Sequence, residues 1–358
     1  MQANMTRLQL RRPIRLPLIA KYFSFLFPAP VRTWRLRRTS FGMWLERCFG
    51  VTAMVLIFLT ATCRAEHATS ISLSATRTDM DRPEITRLLF HPHKTARNTP
   101  PADAIDIDVP VADGVTIACR LYSHAITTPT LIFFHGNSET IPDYDEIGPM
   151  YTQEHLNFLV VEYRGYGWST GTPQASTLLP DSNVAFLALK EWLDTHGYTG
   201  ALFVMGRSLG SASAIDVACT HGEAISGLII ESGFARTLPL LKVLGIDTAR
   251  MGFSEEQSFN NASKIARITK PTFILHGQYD QLIPLWQAET LQAESGARNK
   301  EMQVVPGADH NSLIAVAGPL YFQAIRKFVE KVAGIAPDWR ERRRQFKAQQ
   351  ARQTEGAP

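Results

Sequence analysis

The stretch at 201–211, ALFVMGRSLGS, constrains this chain more than any other. An apolar run typical of a buried strand ends at Ser208, which lies between Gly206 and Gly210 and is followed by small residues. The pattern Gly-x-Ser-x-Gly is typical of a sharp strand-to-helix turn, the nucleophile elbow, which leaves only the serine side chain projecting. The flanking positions must be small because the two backbones approach each other closely. The stretch therefore predicts Ser208 as a nucleophile, which needs a base, an acid and an oxyanion hole from elsewhere.

Apolar runs alternate with helical patterns from residue 130 onward. The runs predicted as strands are TLIFFHG, NFLVVEYRG, ALFVMGRS, ISGLIIESG, PTFILHG and KEMQVVPG. Continuous apolar strands separated by helices indicate a parallel sheet that is covered on both faces. Upstream, AIDIDVPV and VTIACRLY flank Asp113-Gly114, which predicts an antiparallel hairpin at the edge of the sheet. The fold class is therefore α/β, with a mostly parallel, doubly wound sheet and an antiparallel N-terminal hairpin.

Helices are expected in the connections between these strands. The predicted helices lie near Asp143 to His155, Pro180 to His196, Leu209 to Thr220 and Pro284 to Glu294, with a last one from Ser312 to Val332. Residues 234–269 are too long for a simple helical connection. We interpret them either as a small lid insertion over the site or as one helix with a long loop, and the sequence leaves both open.

Composition divides the 358 residues into four parts. The α/β domain is assigned to 102–335, and a linker rich in Thr, Arg and Pro to 67–101, with one short helix near Pro83 to Leu89. A basic polar tail follows at 336–358. The cysteines Cys119 and Cys219 fall in a predicted strand and helix, where a lone cysteine is most often a small buried hydrophobe.

Residues 1–66 predict an export signal or a membrane anchor. Up to residue 47 the chain is basic, with Glu46 as its single acidic side chain, and 48–63 carries no charge. A helix of that length reaches about 24 Å, which is less than the ~30 Å hydrocarbon core of a bilayer. A basic region, an apolar core and small residues, in that order, are typical of a signal peptide. Cleavage after Ala65, lipid attachment at Cys63 and a buried helix of the domain are the alternatives.

This leader predicts where the protein resides. Positive charge is retained on the cytoplasmic side of a membrane, so the catalytic domain is expected on the non-cytoplasmic side, exported or membrane-anchored.

The acid and the base are predicted at two later strand ends. In a doubly wound hydrolase the catalytic groups follow the strands in the order serine, acid, histidine. Asp280 follows PTFILHG and His310 follows KEMQVVPG, so these two residues occupy the expected places. Asp309 is the nearest competitor for the acid, but adjacent side chains point apart and could not easily share one imidazole. Ser208, Asp280 and His310 are thus the predicted catalytic triad.

An oxyanion hole requires two backbone N–H groups aimed at the developing charge. One is expected from Leu209, directly after the nucleophile, and the other from Asn137, in the loop after the first parallel strand. Gly136 allows that loop to bend, and His135 is interpreted as a residue that shapes the loop. His276 also closes a strand and is interpreted as structural.

The set of motifs is specific enough to carry a family resemblance. The motifs are HGN at 135–137, YRGYGWSTGTP at 163–173, GRSLG at 206–210, HGQYDQLIP at 276–284 and GADHN at 307–311. Together they resemble the α/β-hydrolase superfamily, within it most closely the single-domain serine hydrolases that include the Bem46-like and ABHD13/ABHD17-type proteins.

The resemblance implies an α/β-hydrolase fold with the triad and the oxyanion donors assigned above. Members of this group are often membrane-associated, and those of known activity cleave esters or thioesters, including thioesters of lipidated proteins. The chain differs from the depalmitoylase type because it lacks a cysteine-rich N-terminus. That difference argues against protein depalmitoylation.

The expected function is cleavage of carboxylic esters or thioesters through an acyl-enzyme on Ser208. A serine peptidase of the same fold and a non-catalytic binding protein are the two alternatives. The sequence has no HExxH motif, no P-loop lysine and no paired metal carboxylates, so neither a metal nor a cofactor is expected. The expected partners are a small-molecule or lipid acyl ester and a membrane surface, and not a nucleic acid.

Overall fold

The computed structural model describes residues 78–336 and 343–344. The predicted leader at 1–66 lies outside these residues, as does almost all of the predicted tail at 336–358.

One sheet of eight strands organises the described residues. The strands are β1 (Ala104–Ala112), β2 (Val115–Tyr122), β3 (Thr130–Phe134), β4 (Asn157–Val161), β5 (Leu202–Arg207), β6 (Gly227–Glu231), β7 (Thr272–Gly277) and β8 (Lys300–Val305). Their order in the sheet is β1-β2-β4-β3-β5-β6-β7-β8. β2 pairs antiparallel with β1 and with β4, and the other neighbours are parallel. The predicted fold class and edge hairpin are confirmed.

Helices cover both faces of the sheet. They are α1 (Pro83–Leu89), α2 (Gly148–Gln153), α3 (Ala175–Thr195), α4 (Gly210–Thr220), α5 (Thr237–Val243), α6 (Thr248–Met251), α7 (Asn261–Ile265), α8 (Trp286–Glu294), α9 (Leu313–Ala317) and α10 (Pro319–Ala333). Successive strand residues point to opposite faces, so β3 sends Ile132 into the core beneath α3 and α4 and Phe133 into the core beneath α2 and α10. Strands buried on both faces explain the continuous apolar runs.

The helices depart from the sequence prediction at several places. α3 begins at Ala175 and includes Pro180, although proline was expected to start the helix. Pro180 is exposed, so water can satisfy the carbonyl that loses its N–H donor there. The last predicted helix is broken at Gly318, whose φ of 54° and ψ of −135° separate α9 from α10.

The helix predicted from Asp143 begins instead as a 3₁₀ turn over Ile141–Tyr144, and α2 starts only at Gly148. Pro149 fits the first turn of α2 because that turn needs no N–H donor at this position.

The insertion at 234–269 contains three short helices, α5 to α7, and is therefore not one helix with a long loop. Phe234 and Phe259 are fully buried, and their ring centroids lie 6.0 Å apart. The base of the insertion thus belongs to the core of the domain. A lid function for the segment stays a prediction.

Residues 78–90 fall within the predicted linker, and they pack against the domain. The expected helix, α1, is present, and Met80, Ile85, Leu89 and Phe90 are buried in the core beneath α3 and α4. The Asp81 carboxylate also accepts the Ser176 N–H at the start of α3. This bond satisfies one of the donors that a helix start leaves open.

Within the described ranges, no helix combines the length and apolar character needed to cross a bilayer.

If residues 78–90 are part of the folded domain, Ile85→Ala destabilises the protein far more than Leu88→Ala on the same helix. Ile85 is 0% exposed and Leu88 is 38% exposed. We expect Ile85→Ala to lower the free energy of unfolding by about 2–5 kcal/mol, and Leu88→Ala by about 0.5 kcal/mol or less. Urea unfolding of both variants measures the difference. Equal, small losses would show that the segment is a separate linker.

Candidate active site

Ser208 stands at the turn between β5 and α4, with φ of 51°. A left-handed backbone conformation at a non-glycine residue is costly and persists only where the surroundings impose it. Here the Ser208 N–H donates to the Glu231 carbonyl at 2.9 Å, which ties the turn to the end of β6. The turn therefore presents the serine hydroxyl at the carboxyl edge of the sheet.

Gly206 and Gly210 are required by close approach on either side of the serine. A Cβ at Gly206 would collide with the Gly210 carbonyl, and one at Gly210 would collide with the Phe134 carbonyl of β3. α4 thus packs directly on the backbones of β5 and β3. The small residues predicted to flank the nucleophile are those that this packing demands.

The structure brings Ser208, His310 and Asp280 into one hydrogen-bonded chain. The Ser208 Oγ lies 2.9 Å from His310 Nε2, and His310 Nδ1 lies 2.7 Å from Asp280 Oδ2. The other oxygen of Asp280 accepts the N–H groups of Leu282 and Ile283 at 3.1 and 2.8 Å. An ionised carboxylate can only accept hydrogen bonds, so His310 Nδ1 is the donor in its bond with Asp280. In the neutral imidazole, Nε2 then has no proton and can accept one from the serine.

Asp309 takes no part in this chain. Its carboxylate accepts the Asn311 N–H at 3.0 Å and the Ser312 hydroxyl at 2.6 Å, and these bonds lower the pKa of Asp309. It shapes the turn that carries His310 rather than orienting the imidazole.

The two expected oxyanion donors, Leu209 and Asn137, follow the ends of β5 and β3, which are neighbours in the sheet. Leu209 precedes the first turn of α4, and Asn137 lies in the loop after β3 that contacts Gly210. Among the hydrogen bonds of the described residues, neither backbone N–H has an acceptor. Their role as oxyanion donors stays a prediction.

The side chain of Asn137 is held by contacts that the sequence did not predict. Its amide donates to the Leu89 carbonyl at 3.0 Å. Its oxygen accepts the His91 N–H at 2.9 Å and the Tyr166 hydroxyl at 2.6 Å. The end of α1 and the segment after it therefore hold the loop that carries the predicted second donor. Sequence offers no signal for this, because the partners lie 46 and 29 positions away.

His135 is fully buried beneath the same loop. Its Nδ1 lies 2.7 Å from the Gly136 carbonyl, and its Nε2 lies 3.0 Å from Glu162 Oε2. Both neighbours are acceptors, and only the doubly protonated, positively charged imidazole can donate to both. Burial lowers the pKa of His135, but the hydrogen bond and charge of Glu162 outweigh it and leave the pKa above its ordinary value. Glu162, at the end of β4, was missed in the sequence.

His276 lies behind the acid. Its Nε2 donates to the Ile283 carbonyl at 2.7 Å, and burial lowers the pKa of His276. It supports the turn in which the N–H groups of Leu282 and Ile283 reach Asp280.

Over the described part of the chain, no three His, Cys, Asp or Glu side chains are grouped so that they could hold a metal ion.

The chain is similar to a family model and to several known proteins. The family model Hydrolase_4, described as serine aminopeptidase, S33, matches residues 126–247, which include Ser208 but neither Asp280 nor His310. The protein WAV2 of Arabidopsis thaliana, an α/β hydrolase domain-containing protein, is 28% identical over 220 residues, or 57% of this chain and 71% of WAV2. The protein bem46 of Schizosaccharomyces pombe is 29% identical over 208 residues, or 56% of this chain and 67% of bem46.

A solved structure shows the same fold. The esterase Pf2001 of Pyrococcus furiosus superimposes with a TM-score of 0.55 at 19% sequence identity. The match covers 67% of this chain and 98% of the esterase.

The charged His135–Glu162 pair predicts a pH-dependent contribution to stability. Because the folded pKa of His135 is raised, the pair stabilises fully below the pKa of an unfolded histidine, about 6.5, and loses this effect as pH rises through the folded pKa. We expect His135→Gln to cost most stability at acid pH and less as the pH rises. Urea unfolding from pH 5 to 9 measures this, with the exposed His93→Gln as control. A loss that grows with pH would contradict the assignment.

Proposed function

We propose that this chain, which has the α/β-hydrolase fold and resembles the Bem46-like proteins, is a serine hydrolase that cleaves carboxylic esters or thioesters. The observation that carries the proposal is the unbroken chain of hydrogen bonds from the Ser208 hydroxyl through His310 to Asp280. A hydroxyl becomes a competent nucleophile when a neighbouring base removes its proton, and this arrangement supplies that base.

In the proposed reaction, Ser208 Oγ attacks the carbonyl carbon while His310 Nε2 takes the hydroxyl proton. Asp280 holds the imidazole in the required tautomer and stabilises the imidazolium that forms. The tetrahedral intermediate collapses, the bond to the leaving group breaks, and His310 returns its proton to the departing alcohol or thiol. Water then attacks the acyl-enzyme in the same way and releases the acid and the free Ser208.

The N–H groups of Leu209 and Asn137 are proposed to bind the oxyanion of both tetrahedral intermediates. Loss of one typical donor of this kind costs about 3–4 kcal/mol of transition-state stabilisation. The clamp on the Asn137 side chain supports this role, because it fixes the loop before substrate arrives.

The similar proteins differ in the type of bond that their descriptions name. The fold match is to an esterase, whereas the family model is described as a serine aminopeptidase. An ester or thioester releases a better leaving group than an amide does, so its cleavage depends less on proton donation by His310. We therefore place esters and thioesters first and keep amide hydrolysis as the second candidate, favoured by the description of the family model.

We further propose that the enzyme acts on the non-cytoplasmic side of a membrane, exported or membrane-anchored. The support is the basic and then apolar order of residues 1–66. Lipid acyl esters at a membrane surface are a substrate class that suits this placement.

The assignment of Asp280 as the acid is tested by substitutions at Asp280 and at its competitor Asp309. Asp280→Asn is expected to lower kcat/KM about 10⁴-fold, because the imidazole loses the partner that fixes its tautomer. Asp309→Asn is the matched control, and we expect a much smaller loss because the Asp309 carboxylate bonds Asn311 and Ser312 and not the imidazole. Hydrolysis of a p-nitrophenyl ester measures both variants. Equal losses, or a larger loss in Asp309→Asn, would contradict the assignment.

The type of bond that the enzyme cleaves is tested with esters, thioesters and amides that share one acyl group. Protein that begins at His67 is expected to hydrolyse the ester and thioester well and the amide poorly, and Ser208→Ala is expected to hydrolyse none of them. Turnover of the amide at a rate near that of the ester would establish the peptidase. Turnover of none by the wild type would favour the non-catalytic binding protein.

A further inference from the structure

Arg207 immediately precedes the predicted nucleophile, and its guanidinium contacts two loops of the site and the end of one strand. Nη2 donates to the His310 carbonyl at 3.0 Å and to the Asn311 side chain at 3.1 Å. Nε donates to Glu231 Oε1 at 3.2 Å, and Nη1 is paired with Glu139. One planar side chain therefore bonds the histidine loop, the end of β6 and the loop after β3.

The contact with Glu139 continues to the oxyanion loop. Glu139 Oε2 accepts the Gly136 N–H at 2.6 Å and the Tyr144 hydroxyl at 2.5 Å. Gly136 is the residue directly before the proposed donor Asn137. A Cβ at Gly136 would lie 2.6 Å from Arg207 Nη1, so the loop rests directly on the guanidinium. Arg207 thus contacts, directly and through Glu139, the residue before the proposed donor.

The contact with Glu231 continues into the core. Glu231 is 2% exposed and its Oε2 accepts the Tyr321 hydroxyl at 2.6 Å, which lies 3.1 Å from the Tyr151 hydroxyl. Burial raises the pKa of Glu231, and the charge of Arg207 opposes that rise. The backbone carbonyl of Glu231 also accepts the Ser208 N–H. This anchor fixes the guanidinium relative to the turn that holds the nucleophile.

We infer that Arg207 is a positioning residue. It holds the loop after β3, which carries Asn137, and the loop after β8, which carries His310, in place around Ser208. This inference rests on the proposed function for its catalytic consequence. The role requires the planar fork of arginine, because four acceptors in different directions surround the guanidinium and the single ammonium of lysine cannot bond them all.

The test compares Arg207→Lys with Arg120→Lys. Arg120 is a matched control because it is fully buried and bonds two carboxylates, Asp106 and Asp145, and the Asn98 carbonyl, away from the triad. We expect Arg207→Lys to lower kcat for a p-nitrophenyl ester about 100-fold through loss of alignment, with little change in KM. Arg120→Lys is expected to lower stability and leave kcat unchanged.

Hydrogen exchange of the folded proteins supplies a readout that does not depend on activity. Arg207→Lys is expected to exchange faster than wild type in peptides covering 135–141 and 306–313, and Arg120→Lys is expected to match wild type there. Should Arg207→Lys fail to fold, Asn311→Ala removes one acceptor of the guanidinium and is expected to speed exchange in 306–313 alone.

Faster exchange in both loops, together with a kcat defect specific to Arg207→Lys, supports the inference. Unchanged exchange in the loops, an unchanged kcat, or the same changes in Arg120→Lys overturns it. A wild type without hydrolytic activity would refute the proposed function and the catalytic consequence, whereas the exchange result would still decide whether Arg207 holds the two loops.

Discussion

The close approach of α4 to β5 and β3 is the constraint on which the rest of the site depends. No side chain fits at Gly206 or Gly210, because a Cβ at either position would overlap with a backbone carbonyl oxygen. Ser208 lies in this turn with a left-handed conformation, and its hydroxyl lies 2.9 Å from His310 Nε2. Since β3, β5, β7 and β8 are parallel, the loops that follow them meet at one edge, and the triad assembles there.

Charged groups beneath the site fix the loops that this edge brings together. His135 with Glu162, and Arg207 with Glu139 and Glu231, are pairs in which both side chains are largely or fully buried. Removal of one partner from such a pair leaves an uncompensated buried charge, which costs about 3–5 kcal/mol. Buried pairs add little net stability over apolar residues, but they tolerate few alternative geometries. Such rigidity suits loops that must aim an oxyanion donor and a general base.

Sequence could predict the parts of the molecule that repeat a local pattern. The order of apolar runs predicted the parallel sheet. The residues after its last two predicted strands pointed to Asp280 and His310, which the structure places in one hydrogen-bonded chain with Ser208. The contacts of Asn137 with Leu89 and of Arg207 with Glu139 join residues 48 and 68 positions apart, and no local pattern encodes them. The start of α3 depends likewise on Asp81, far upstream.

The central claim is that Ser208 forms a covalent bond to the substrate acyl group. Intact-protein and peptide mass spectrometry after treatment with a fluorophosphonate tests it most directly, because the reagent phosphonylates only a serine activated by its neighbours. The account predicts one adduct per chain on the peptide that contains Ser208, and no adduct in Ser208→Ala. The absence of an adduct in the wild type, or an equal adduct in Ser208→Ala, would contradict it.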